Sequence, residues 1–264
     1  MTELVEYPEG RTVHSWPYRA AGIYLKSLGL PTPVVESLLQ AARLDAPEKG
    51  TVFAYGPEWI HIVAMGVVKE TTPHGTERLW TKGALFGDLG RVMLKRGTSG
   101  TARGVGPRIT FLTQGCVLSL TTRTLGQLLE QDSVLVLLLA QLTNERSETV
   151  ESVYAASKAD PVIRVARLLD YLVQYRRPLP SVPNRVRWTR NGMHLIPSGA
   201  LTVQGPSQAD IAEALGLGRT TVEKALASLR DQGALTAHKP GTRSNRYYEI
   251  MDIALLRSIA CSES

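Results

Sequence analysis

The sequence predicts an α+β chain built from a small N-terminal β-barrel (jelly roll), a long helix and a C-terminal winged helix-turn-helix, and three observations carry this. Between Arg43 and Leu120, short apolar runs alternate with turn residues, the texture of an antiparallel all-β unit. From Ser133 to Ala155, Leu135, Leu139, Leu142, Arg146, Thr149 and Val153 recur at spacings of four and three, a helical period. In 207–235, two short segments each show one apolar stripe, Ile211 and Leu215 in the first and Val222, Leu226 and Leu229 in the second. The predicted organisation is 1–20 as an N-terminal arm, 21–122 as the barrel, 123–159 as a dimerisation helix with hinge, and 160–264 as the winged helix-turn-helix.

Taken in order, residues 1–20 mix Pro8, Gly10 and Pro17 with polar residues and show no period, so an extended arm is expected. Leu30-Pro31-Thr32-Pro33 starts a helix with Thr32 as its cap and Val34, Val35, Leu38, Leu39 and Ala42 as its apolar face. Strands are expected at 51–54, 60–65, 67–70, 78–80, 109–112 and 117–120, punctuated by Gly56-Pro57, Gly75 and Gly106-Pro107. A short helix at 124–130 precedes the long one, which Ser133 can cap. Its heptad pattern suits a seam between two copies of the chain, or equally a helix lying on its own barrel; dimerisation is the favoured reading. Asp160-Pro161 marks a hinge, because the residue before proline avoids helix and proline suits a first turn. A helix at 162–175 and strand pieces near 185–189, 193–196 and 200–203 lead into the C-terminal module.

In that module Ser207 can cap the first helix, and Gly216 can take the left-handed conformation that ends it. The second helix opens with Arg219-Thr220-Thr221 and turns Glu223 and Lys224 away from its apolar stripe. Its start is the end that enters a DNA major groove. Gly233 reads as a helix stop; strands at 234–238 and 246–251 flank a basic loop, and Asp252 can cap a last helix. Lys239, Arg243 and Arg246 of this wing are phosphate-contacting residue types.

Composition is consistent with this. The chain has 264 residues, 43% hydrophobic and 20% charged, and a net charge of +6. Residues 1–158 hold 16 Lys and Arg against 15 Asp and Glu, whereas residues 159–264 hold 14 against 9, so the basic excess sits with the helix-turn-helix. A positive excess confined to one part points to a polyanion partner. No apolar run approaches the roughly 18 residues a membrane span needs, which predicts a cytoplasmic protein with no membrane partner. Cys116 and Cys261 have neither paired nor metal-ligand spacing, and the histidines form no cluster, so no metal site is expected. His61 and His74 are the only candidates for a heme or zinc ligand, and they read as strand and turn residues.

Barrel, long helix, hinge, helix, hairpin and winged helix, in that order, resemble the cyclic AMP receptor protein (CRP/FNR) superfamily of bacterial transcription regulators. The resemblance covers about residues 20–260. It is most specific over 208–226, QADIAEALGLGRTTVEKAL, and extends to WIHIVAMGVVK at 59–69 and GALFGDL at 83–89, similar to the segment that opens the family's phosphate-binding cassette. It implies a cyclic-nucleotide-binding-like barrel with Gly87, Asp88, Leu89, Thr98, Ser99 and Thr149 as candidate effector-binding residues. It also implies double-stranded DNA with an inverted-repeat operator as partner, a homodimer, and RNA polymerase as a further partner.

Two departures bear on function. Asp88 stands where nucleotide-binding relatives have a glutamate, and Thr98 stands where their phosphate-pairing arginine is expected, removing the strongest contact of an anion site. In the recognition helix Thr220 replaces the family's acidic residue. The expected protein is therefore a homodimeric, sequence-specific regulator, not an enzyme, in which Arg219, Thr220, Thr221 and Lys224 read bases while Gln208, Lys239, Arg243 and Arg246 hold phosphates. No cofactor is implied with certainty, and DNA binding without cyclic AMP is favoured. The alternatives are a cyclic-nucleotide-activated regulator, or an enzyme or scaffold carrying an appended winged helix; 20–158 contains no nucleophile elbow, metalloprotease pair or phosphate loop to support an enzyme.

Overall fold

Two four-stranded antiparallel sheets make the N-terminal unit, in a computed structural model that describes residues 16–54, 56, 58–89, 92, 107–155, 158–173, 185–189, 192–196, 201–236 and 246–262. The strands are β1 (Arg43–Asp45), β2 (Val52–Ala54), β3 (Trp59–Met65), β4 (Val68–Thr71), β5 (Glu77–Trp80), β6 (Leu85–Phe86), β7 (Arg108–Phe111) and β8 (Cys116–Thr121). One sheet runs β1-β8-β3-β6 and the other β2-β7-β4-β5, a jelly-roll order that agrees with the expected barrel and adds the short β1 and β6. Phe53 on one sheet meets His61 on the other edge-to-face at 6.3 Å.

The chain divides into two units, Met1–Glu148 and Thr149–Ser264. In the first, a helix α1 (Trp16–Ser27) precedes α2 (Thr32–Ala41), so residues 16–20 are helical and not part of an extended arm. Pro17 fits a first helical turn, and Ala21, Tyr24 and Leu25 form a buried stripe whose tertiary partners outweigh Gly22. The Cys116 thiol on β8 donates to the Pro17 carbonyl at 3.3 Å, and burial pushes its pKa up to about 12, a structural and unreactive state. Thr32 does not cap α2; Pro31 occupies that position without a side-chain bond.

Helix α3 (Thr122–Gln131) is capped by Thr121. The long helix α4 (Ser133–Thr149) is capped by Asp132, whose Oδ1 accepts from the Val134 amide at 2.9 Å, and not by Ser133. It continues as a π-helical turn, Val150–Tyr154. The expected inter-chain seam is spent within the protomer: Leu135, Leu139 and Leu142, with Leu138, join Ile60, Leu85 and Leu118 in one buried cluster. Arg146 of the same stripe donates from Nη2 to both Glu70 carboxylate oxygens, at 2.9 and 3.0 Å, and from Nη1 to the Leu85 carbonyl at 2.9 Å. Its guanidinium lies 4.3 Å from the Trp80 ring centroid, and Trp80 Nε1 donates to Glu70 at 2.8 Å. The physical reason for the difference is that a four-three stripe suits any apolar surface, and the nearest one is the chain's own sheet.

The second unit is built on α5 (Pro161–Leu172), which Asp160 caps through the Val162 amide at 2.7 Å with Pro161 in the first turn. Around it stand α6 (Gln208–Leu215), α7 (Arg219–Asp231) and α8 (Ile253–Cys261), with a β9–β10 hairpin (Arg185–Thr189 and Gly192–Ile196) and a β11–β12 pair (Leu201–Gln204 and Tyr247–Ile250). Val165, Leu168, Leu169, Leu172, Ile211, Val222, Leu226, Leu229 and Leu256 fill its core. The expected strand at 234–238 contributes a single bridge, Leu235 to Ile250, among the described residues.

Buried polar groups of the N-terminal unit generate two expectations. Glu70→Ala leaves Arg146 and Trp80 without their acceptor and should destabilise this unit by about 3 kcal/mol in denaturant unfolding, whereas Glu70→Gln, which keeps an acceptor, should cost clearly less. Burial lowers the His61 pKa from 6.5 to about 4, while its Nδ1 sits 2.9 Å from Ser119 Oγ. The unfolded chain therefore takes up this proton first: its contribution is full above pH 6.5 and is lost as pH falls toward 4, amounting to about 3 kcal/mol. His61→Gln should flatten the fall in stability measured between pH 6.5 and 4.5.

Candidate functional site

The helix-turn-helix is held by local chemistry at each joint. Ser207 Oγ accepts from the Asp210 amide at 3.1 Å, and Asp210 Oδ2 accepts from the Ser207 amide at 2.8 Å, a reciprocal capping box at the start of α6. Gly216 ends α6 at φ 61°, a left-handed conformation that costs glycine little. The Leu217 amide then donates back to the Ala212 carbonyl at 2.9 Å, and the Leu217 side chain is half-buried. Buried Arg164 on α5 donates from Nη2 to the Leu215 carbonyl, placing a cation at the C-terminal end of α6. Arg167, one turn on, does the same for α8 through the Ala260 carbonyl at 2.6 Å.

These anchors leave one face of α7 outward. Val222, Ala225, Leu226 and Leu229 are buried, while Arg219, Thr220 and Lys224 are exposed and Thr221 is partly so. The structure thus gathers the four expected base-reading residues at the N-terminal end of one helix, which begins at Gly218 without a side-chain cap. Gln208 is half-buried on the first turn of α6. Arg246 is less free than expected: Nη1 donates to the Gly205 carbonyl at 3.0 Å and lies 3.6 Å from Asp210, although half of the side chain stays exposed. Lys239 and Arg243 lie outside the described residues. Glu223 was not among the expected site residues, yet its Oε1 accepts from Arg219 Nε at 3.1 Å. The spacing of four on one helix face was the available signal.

Of the expected effector residues, the described part of the N-terminal unit holds three. Gly87, Asp88 and Leu89 follow β6, whereas Thr98 and Ser99 lie outside the described residues and Thr149 belongs to the second unit. Gly87 has a backbone reason to be glycine: at φ 129°, a Cβ would overlap the Trp59 carbonyl oxygen and the Ile60 side chain. A cavity of about 200 Å³ beside it is lined by Leu85, Phe86, Gly87, Leu89, Thr143 and Arg146. Sequence reading missed Glu70 and Arg146 as a pair, although a carboxylate at an inward strand position and an arginine in an apolar stripe both mark it. Among the described residues no group of three or more His, Cys, Asp or Glu could hold a metal ion, and no helix is long and apolar enough to cross a membrane.

Comparison with known proteins agrees with this geometry. Residues 163–259 match the family model of the Crp-like helix-turn-helix domain. Among solved structures the chain is similar to the FixK2 protein of Bradyrhizobium japonicum, at 16% identity and a TM-score of 0.53 over 84% of this chain and 99% of that one. It is also similar to a CRP/FNR-family transcriptional regulator of Thermus thermophilus, at 17% identity and a TM-score of 0.51 over 84% and 100%. A third is a candidate cyclic nucleotide binding protein of Ruegeria pomeroyi, at 22% identity and a TM-score of 0.55 over 93% and 99%. A search of the curated proteins by sequence finds no match. Residues 163–259 thus form a Crp-like helix-turn-helix domain, and the chain as a whole shares its fold with these regulators.

Proposed function

We propose that the chain is a transcription regulator of the CRP/FNR type, a cytoplasmic homodimer that reads an inverted-repeat operator and does so without cyclic AMP. The observation that carries the DNA half is the outward start of α7, where Arg219, Thr220, Thr221 and Lys224 stand on a helix whose opposite stripe is wholly buried. Arg219 suits a guanine, and Gln208, Lys239, Arg243 and the exposed half of Arg246 suit phosphates. Twofold symmetry places the half-sites about one helical turn, roughly 34 Å, apart. Because the apolar stripe of α4 is used within the protomer, pairing would fall to the opposite side of that helix, where Leu137 is 69% exposed ahead of Gln141, Asn144 and Glu148.

Independence from cyclic nucleotide is supported by the interior of the N-terminal unit. Among the described residues that line the cavity Arg146 is the one cation, and its terminal nitrogens already serve Glu70 and the Leu85 carbonyl. An entering phosphate would have to displace an internal carboxylate that is already desolvated, a poor exchange against water. Asp88 and Thr98 weaken the remaining contacts a cyclic nucleotide would need.

Selection of bound duplexes from a random pool should return a palindrome occupied by two protomers; a single asymmetric site bound by monomer would contradict the reading. Arg219→Ala should remove about 1–3 kcal/mol of base discrimination at one position of each half-site, whereas Arg243→Ala should weaken all sequences alike and lower the salt slope by about 1. Titration calorimetry with cyclic AMP and cyclic GMP should show no binding tighter than about 1 μM. Tighter binding of either nucleotide would overturn the independence claim while leaving the DNA site intact.

A further inference from the structure

We infer that Glu223 determines base specificity in this DNA site, both by holding the Arg219 guanidinium and by offering an acceptor of its own. The inference rests on the proposed use of α7 as the base-reading helix. Glu223 lies one turn after Arg219 on the outward half of α7, and its Oε1 accepts from Arg219 Nε at 3.1 Å. Both side chains keep large exposure, 63% for Arg219 and 43% for Glu223, so the pair stands on the surface and not in the core. Tying down Nε leaves the two terminal nitrogens of the guanidinium directed onward as a fork, the geometry that meets guanine O6 and N7 together.

The same carboxylate has a second oxygen, and an ionised carboxylate accepts several hydrogen bonds. In a major groove that oxygen suits the exocyclic amine of cytosine and repels the acceptors of guanine and thymine. Thr220, next to Arg219, brings no charge that could do this. An exposed pair at this spacing adds little to the helix itself. A negative charge facing phosphates weakens DNA binding in general, so the benefit that offsets this cost is discrimination between bases.

The test uses the full-length protein, a duplex recovered by selection, and every single-base variant of its half-site, with binding followed by fluorescence anisotropy. The unaltered protein should disfavour replacement of one cytosine by about 10-fold, and Glu223→Ala and Glu223→Gln should both flatten that preference to within about twofold. Glu223→Ala should also reduce the preference for guanine at the position read by Arg219, while affinity for a scrambled duplex rises because a negative charge has left. Thermal unfolding of both variants should match that of the parent. Base preferences unchanged at every position, or an equal loss at all of them, would overturn the inference and leave the DNA-binding reading standing. An unaltered protein with no sequence preference would sink both.

Discussion

The carboxylate of Glu70 is the constraint on which the N-terminal unit turns. It is buried in the sheet interior, it accepts from Trp80 Nε1, and it is neutralised by Arg146 arriving from the long helix α4. A buried charge without a partner is costly, so once Glu70 occupies an inward strand position the helix that supplies its counter-ion must lie across the sheet in one register. The leucines around Arg146 then close the same surface by burial alone. The cavity beside Gly87 is therefore lined by a cation that is already paired with an internal carboxylate.

The second unit uses charge in a related manner but at helix ends. Arg164 and Arg167, three residues apart on α5, each reach a carbonyl at the C-terminal end of another helix, those of Leu215 and Ala260. Both groups belong to helix ends whose last carbonyls have no intrahelical partner, and a cation there complements the helix dipole. The effect is to fix α6, and with it the Gly216 turn and the start of α7, relative to the central helix. The proposed base reading would need each side chain delivered within about 0.5 Å, which a rigid mount under an exposed surface helix provides.

The C-terminal module was legible in residue order because its signals are local. Ser207 with Asp210, Gly216, Gly233 and Asp252 each determine a backbone event within four residues, and each does in the structure what its chemistry predicts. Non-local features were not legible. Helix α1 was hidden by Pro17 and Gly22, β1 and β6 are too short to show a period, and the stripe of α4 has the same spacing whether it faces a partner or its own sheet. Among the site residues, Arg219, Thr220, Thr221 and Lys224 stand together as their helical positions require, whereas of the effector candidates only Gly87, Asp88 and Leu89 are neighbours within the described part of the N-terminal unit.

What residue order alone determined, then, is the elements that carry a clear period or cap, their order along the chain, and the face of α7 that looks outward, since capping, turn conformation and helical period act over a few residues. What tertiary structure alone decided is how the charged exceptions in those patterns are used. Glu70 and Arg146 lie 76 residues apart and Arg164 and Leu215 lie 51 apart, and only packing brings such groups within hydrogen-bond reach. The physical reason is that a buried charge has no local solution: its partner can come from anywhere in the chain that the fold carries close enough.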